Sequence, residues 1–221
     1  MKTRSKQEGR VRAIVPLNVL KKSKARLSPL LTPAERERLS VAMLKDVLSA
    51  LRRTKRIHSV TVVSADKGAR RICKRLGASF LWEGRRRGLN RGVKLAVRHA
   101  QREGATSVLV IHSDLPLLKP LEVDEFLKRS VGCSVALTPS KDRDGTNALL
   151  MSPPQVIRPV FGKDSFRKHL LLARQRKARS RVLLFNGIGF DVDTPRDLVG
   201  LMRRPLRNET GRVLKAFRKR G

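Results

Sequence analysis

Tyrosine is absent from this 221-residue chain, and aromatic residues of every kind make up only 4% of it. Proteins that hold single-stranded nucleic acid usually stack bases on aromatic side chains, so such a platform is poorly supplied here. Cys73 and Cys133 are the two cysteines; they lack metal-ligand spacing and do not make a disulfide framework. No apolar run approaches the ~20 residues that span a bilayer. Residues 1–12 are polar and basic with no apolar segment behind them, so no signal peptide is expected. A cytoplasmic location is the expectation. Acids are scarce as well: 18 Asp and Glu face 51 Lys and Arg, a formal net charge of +33. Such a surface attracts polyanions, nucleic acid among them, in a salt-dependent way. It does not establish a nucleic-acid function, because the basic residues run along the whole chain.

What is present is a regular alternation of short apolar runs and amphipathic segments. Residues 108–118 (VLVIHSDLPLL) read as a strand buried on both faces that ends in Asp114, with Pro116 stopping it. A carboxylate at the carboxyl end of a buried strand is where open α/β sheets place ligands; the plainer alternative is that Asp114 caps the following turn. Further strands are expected at 11–17, 59–64, 79–82, 134–137 and 181–185. Thr32-Pro33-Ala34-Glu35 is a helix start with a threonine N-cap, proline at N1 and glutamate completing a capping box. Thr194-Pro195 begins another helix in the same way. The pattern predicts an α/β fold with a doubly wound, mostly parallel sheet flanked by helices. One domain over residues 11–202 is expected, between a basic arm (1–10) and a loosely held basic tail (203–221).

Asp191 and Asp193 lie two apart and point the same way in an extended segment. With Asp114 they supply the oxygen ligands Mg²⁺ prefers, or else they place favourable charge at a helix N-terminus. The loop after the first strand, residues 18–27, can offer backbone N–H groups to a phosphate, with Lys24 and Arg26 adding charge. Asn90 follows Gly88-Leu89 at a helix start, where N-capping is its ordinary role. Gly145-Thr146-Asn147 reads as a turn, and Gly162 and Ser165 precede a helix whose N–H groups can cap or bind an anion. His112 lies in the central strand and reads as a packed residue rather than a base.

Taken in order, the segments IVPLNVLKKSKARL, LSVAMLKDVLSAL, VVSAD, GLNRGV, SDLPLL, DRDGTNALL, FGKDSFRKHL and DVDTPRDL resemble the 2-phospholactate guanylyltransferase family. These are enzymes of coenzyme F420 biosynthesis with the MobA-like nucleotidyltransferase fold, and the likeness runs over residues 14–198. It implies a reaction in which GTP and a phosphorylated three-carbon acid give a guanylylated product and pyrophosphate. The acceptor in the family is 2-phospho-L-lactate, phosphoenolpyruvate or 3-phosphoglycerate. The resemblance implies Mg²⁺ held by Asp114, Asp191 and Asp193, and catalytic roles for Asp114, Lys24 and Arg26. It puts Lys24, Arg26, Ser64 and Asn90 at the nucleotide, and Thr146, Asn147, Gly162 and Ser165 at the acceptor. Monomer and homodimer both stay open. Two departures stand out: Asn18 occupies a place the family usually gives to lysine, and the family's GTGTN is shortened to GTN. Two other readings compete. One is another MobA-like enzyme such as a molybdenum-cofactor guanylyltransferase, whose glycine-rich GGxSxRMG loop is missing here. The other is a basic nucleic-acid-binding protein that keeps the fold without catalysis.

Overall fold

The strand ending before Asp114 lies inside a seven-stranded sheet. The computed structural model describes residues 11–84 and 88–218, so the arm at 1–10 lies outside the described residues. Strands β1 (Val11–Leu17), β2 (Ile57–Ser64), β3 (Ser79–Trp82), β4 (Ser107–Ile111), β5 (Val135–Pro139), β6 (Thr146–Met151) and β7 (Ser180–Val182) are ordered β3-β2-β1-β4-β6-β5-β7. All pairings are parallel except those of β6, which runs antiparallel to both β4 and β5. Helices α1 (Pro33–Arg52), α2 (Ala69–Arg75), α3 (Leu89–Arg102), α4 (Pro120–Arg129), α5 (Ser165–Gln175), α6 (Pro195–Met202) and α7 (Glu209–Arg218) cover it. No helix among the described residues is long and apolar enough to cross a membrane.

The period-two alternation of a strand sorts each side chain to one face. Ala13, Val15 and Leu17 of β1 and Leu109 and Ile111 of β4 pack with α1, α2 and α4. Ile14, Val108 and Val110 point the other way, against α3 and α5. Both faces are therefore dry, as the unbroken apolar run of β4 requires. Connections leave β1 in opposite directions along the sheet, to β2 and β3 on one side and to β4 after the return through α3. The crevice between the ends of β1 and β4 is thus the topological switch point, where ligands of open α/β sheets bind.

Three expectations need correction. Thr146 and Asn147 are not in a turn; they open β6 and are buried, because its central place between β4 and β5 commits their backbone to ladder bonds. Asn90 does not cap α3: Gly88 holds the N-cap position with φ +84°, a conformation glycine adopts without strain. The segment after Arg203 is not a loose tail. Its helix α7 packs on α1 and α6 through Leu214, with Leu206 and Phe217 against the same cluster. Asp46 of α1 accepts the N–H groups of Glu209 and Thr210, both at 2.9 Å, supplying from a distance the cap that α7 needs. Asn208 Nδ2 donates to Pro116 O at 2.7 Å, tying this segment to the turn after Asp114.

Leu214 is 3% exposed, so Leu214→Ala should lower the unfolding free energy by about 2–4 kcal/mol in urea titrations. Lys215→Ala, on the open side of α7, should change it by less than about 0.5 kcal/mol. Equal, small effects of the two would mean that α7 does not belong to the cooperative fold.

Candidate active site

The loop from β1 to α1 contains no glycine and two short 3₁₀ turns, Leu20–Lys22 and Ala25–Leu27. Three anchors fix it: Asp66 Oδ2 accepts Leu20 N–H at 2.9 Å, Ser23 Oγ donates to Leu20 O at 2.7 Å, and the Ser23 and Ser40 hydroxyls lie 2.6 Å apart. Between the turns Lys24 takes the left-handed conformation, φ 54° and ψ 38°. A lysine there is uncommon and held at some cost. The result is that its side chain runs inward to the end of β4.

There Lys24 Nζ donates to Asp114 Oδ2 and, at 2.7 Å, to Asp193 Oδ1. Asp193 arrives from the segment before α6, whose start is set by the capping box of Thr194 and Asp197. Asp197 also accepts the Asp193 N–H at 3.0 Å, so the carboxylate of Asp193 is carried on a fixed backbone. Burial works against charge on Lys24, yet the two facing carboxylates hold its pKa above the ordinary lysine range. Burial likewise pushes against an ionised Asp114, but the Lys24 ammonium, with a smaller contribution from His112, brings its pKa below the usual value. Asp191 goes the other way: burial raises it, and the neighbouring charges of Asp114 and Asp193 add to that.

A cavity of about 250 Å³ surrounds this cluster, lined among others by Lys24, Asp114, Asp193, Ser23, Ser40 and His112. Of the residues expected at a site, Lys24, Asp114 and Asp193 share it. Asp191 stands behind, accepting from Asn147 Nδ2 at 3.2 Å, while the same amide donates to Ile188 O at 3.0 Å. Thr146 Oγ1 is 3.0 Å from His169 Nδ1. Asn90 is spent on both backbone groups of Phe161, donating to its O at 3.0 Å and accepting from its N–H at 2.7 Å. Ser64 and Ser165 are fully buried, and the Ser64 hydroxyl accepts Asp66 N–H at 3.0 Å. Gly162, at φ +114°, forms the bend before α5, and Arg26 is exposed. Sequence reasoning missed the Ser23–Ser40 pair, and it underrated His112. That ring does pack, 5.4 Å from Phe161, but it also faces the cavity with a buried Nε2 that has no hydrogen-bond partner among the described residues.

The expected three-carboxylate metal cluster is not formed. Among the described residues no group of three Asp, Glu, His or Cys side chains is placed to hold a metal ion. The reason is local: the Lys24 ammonium stands between Asp114 and Asp193, and Asp191 is turned to Asn147. The donor set still suits a divalent cation. Asp114 Oδ1 is buried with no hydrogen-bond partner among the described residues, and two carboxylates already converge on one positive charge. Mg²⁺ commonly takes one or two carboxylates and fills its other positions with phosphate oxygens and water.

The comparisons with known proteins decide the family. A family model described as guanylyl transferase CofC like matches residues 11–218. The chain belongs to this family. A phosphoenolpyruvate guanylyltransferase of Conexibacter woesei is 37% identical over 191 residues, covering 86% of each chain. A 2-phospho-L-lactate guanylyltransferase of Methanobrevibacter smithii is 32% identical over 93% of this chain and 89% of its own. Among solved structures, a protein of Desulfovibrio desulfuricans assigned as a nucleotide-diphospho-sugar transferase superposes with a TM-score of 0.77 at 20% identity, over 95% of this chain and 97% of its own. That likeness shows the fold, which is the MobA-like, mostly parallel arrangement.

One buried histidine gives the site's surroundings a pH signature. Val160 N–H donates to His169 Nε2 at 2.9 Å, so Nδ1 carries the proton and donates to Thr146 Oγ1. Burial, helped by the charge of His112, pushes His169 down to about 4. The unfolded chain therefore binds the extra proton first as pH falls. The stability that neutral His169 contributes is complete above about 6.5 and is lost progressively towards pH 4, by roughly 3 kcal/mol at most. In urea midpoints measured across this window, His169→Gln should show a shallower decline than the native chain. Parallel declines would remove His169 as the cause.

Proposed function

We propose that this chain transfers GMP from GTP to the phosphate of a three-carbon phospho-acid, releasing pyrophosphate, as a step of coenzyme F420 biosynthesis. The observation that carries this reading is the Lys24–Asp114–Asp193 cluster in a cavity at the switch point of the sheet. Family membership supplies the reaction class. Phosphoenolpyruvate is the acceptor favoured here, because relatives from Conexibacter woesei, Sphaerobacter thermophilus and Rubrobacter xylanophilus, at 37%, 37% and 38% identity, carry that name. A relative from Colwellia psychrerythraea, at 33%, is named for 3-phospho-D-glycerate.

The chemistry asks little of a general base. An acceptor phosphate is ionised near neutral pH, so one of its oxygens attacks the α-phosphorus as it stands. Catalysis then rests on in-line positioning and on neutralising charge as pyrophosphate leaves. Lys24 stays protonated at any working pH and brings a cation to the phosphates. Asp114 and Asp193 would hold Mg²⁺, which when bound offsets the negative charge of the nucleotide phosphates. Asn147, whose amide is anchored to Ile188 O, steadies Asp191 behind this pair. Free, buried Cys73 and Cys133 accord with a reducing cytoplasm. The +33 charge draws polyanions at low salt, so the protein should be stripped of nucleic acid at high salt before assay.

With GTP and Mg²⁺, pyrophosphate release should require one of the three acceptors and should be abolished by a chelator. Asp114→Asn should lower turnover about 10²–10³-fold while the melting midpoint moves by only a few degrees. Silence with all three acceptors would overturn the reading. It would leave the salt-sensitive nucleic-acid binder as the better account.

A further inference from the structure

The chain has a single tryptophan, and it stands outside the cavity around Lys24, on an edge of the sheet. Trp82 closes β3, which among the described residues pairs only with β2, and it is 48% exposed. With Phe80, Lys67 and Arg70 it lines a separate cavity of about 190 Å³, on the order of ten times the space one water needs. We infer that this edge cavity takes a base of single-stranded nucleic acid, stacked on Trp82, while the basic face of α2 carries the adjoining phosphates. The inference does not rest on the proposed reaction; it gives the same chain a second binding surface.

Strand periodicity and the packing of α2 bring these groups together. Phe80 and Trp82 lie two apart in β3 and so share one face of it, the face on which Phe80 packs with Ala69, Ile72 and Cys73 of α2. Each ring meets a cation from that side. Lys67 Nζ lies 4.5 Å from the centre of the Trp82 ring, and Arg70 Cζ lies 5.8 Å from that of Phe80. Helix α2 (ARRICKR) buries Ala69 and Cys73 and contains no acid. Arg70, Arg71, Lys74 and Arg75 on it are exposed, as is Lys67 just before it. The acids that flank this segment in sequence are turned elsewhere. Asp66 accepts the N–H groups of Leu20 and Gly68, and Glu83 lies on the other face of β3, against Gly92 of α3.

An exposed ring beside a row of cations is what a single strand requires. Any base stacks on an aromatic side chain, because every base has a π-face, while a positive groove follows the backbone. An exposed cation–π contact is weak, so a base can take the place of Lys67 over the Trp82 ring and leave the ammonium to meet a phosphate. Charge favours a strand over a free nucleotide. One nucleotide would engage the two cations of the cavity, whereas Arg71, Lys74 and Arg75 continue beyond it along α2. Each further phosphate neutralised releases counterions and adds affinity at low salt. A duplex keeps its bases stacked within the helix and offers none to Trp82. An acidic peptide would answer the cations and leave the ring unused. With one tryptophan in the chain, the stacking is confined to this edge, and the rest of the +33 surface attracts phosphates without reading bases.

Because Trp82 is the sole tryptophan, its fluorescence reports this site directly. The probes are an oligo(A) strand of about 12 nucleotides, the same strand paired with its complement, AMP, and inorganic polyphosphate, each added to the full chain after nucleic acid is stripped at high salt. The strand should quench Trp82 emission with an affinity that falls steeply with salt, and polyphosphate should bind without quenching. AMP and the duplex should quench far less than the strand. By anisotropy of a labelled strand, Trp82→Ala should weaken binding about 10-fold and leave polyphosphate binding unchanged, and Trp82→Phe should recover most of the loss. The double variant Lys67→Gln, Arg70→Gln should lower the slope of log K against log salt by about 1. If Trp82 only covers the sheet edge, Trp82→Ala lowers the melting midpoint while the strand binds as before. That result, or strand binding without quenching, overturns the inference, as does equal quenching by AMP or by the duplex.

Discussion

Much of this structure depends on one buried cation held between two carboxylates. Lys24, Asp114 and Asp193 come from positions 90 and 169 residues apart along the chain; Lys24 and Asp114 are largely buried and need a partner, and Asp193, 47% exposed, reaches Lys24 from the solvent side. Desolvating an ammonium or a carboxylate costs several kcal/mol unless a partner answers it. Removing Lys24 would leave two carboxylates facing each other, whereas Asp114→Asn still leaves the ammonium its bond to Asp193. The surroundings hold the three in register. The left-handed Lys24, the Ser23–Ser40 contact and the Asp66 bond to Leu20 fix the first strand's loop. The Asp197 bond to Asp193 N–H fixes the last segment.

A second regularity concerns how this chain spends its few acids. Asp66 accepts Leu20 and Gly68 N–H, Asp124 accepts Lys55 and Arg56 N–H, and Asp46 accepts Glu209 and Thr210 N–H. Glu122 takes Gly187 N–H, and Asp144 takes Asp164 N–H. Carboxylates here are set mainly to satisfy backbone donors of distant loops and helix starts rather than to form surface ion pairs. Hydrogen bonds from backbone N–H to an ionised acceptor are stronger than neutral ones, whereas exposed ion pairs contribute little. Surface pairs such as Arg12–Glu103 and Arg167–Asp164 add little to a surface so positive, and the carboxylate bonds to backbone N–H groups supply order that surface pairing does not.

The strands and both proline-led helix starts were legible because apolar runs and capping boxes are local signals. Thr32 and Thr194 each cap as expected, with Glu35 and Asp197 closing the box. Asp114 was legible for the same reason: a carboxylate closing a buried strand is visible in one window of sequence. What stayed hidden depends on distant partners. Thr146-Asn147 looks like a turn until β4 and β5 claim its backbone from either side. Asn90 looks like a cap until its amide is seen on Phe161, 71 residues away. Helix α7 is basic along much of its length, and its anchorage through Leu214 and Asp46 is a tertiary fact. The three-acid metal set was expected from spacing and from the family resemblance, and neither can show that a lysine lies between two of its members.

That lysine also bears on the neutral Asn18, where the family usually has a lysine. Asn18 lines the cavity around Lys24, while Lys21 and Lys22, its nearest basic neighbours in sequence, are exposed and do not line it. Among the described residues Lys24 is the one lysine that lines this cavity. Its charge is therefore required in two settings. With no nucleotide bound it keeps Asp114 and Asp193 from repelling each other, and with phosphates present it is the cation already in place. A residue that must stay charged in both settings needs a pKa far above neutrality, and the two carboxylates supply that. The arrangement makes the acids the means by which an otherwise unfavourable buried cation is kept ready for an anionic substrate.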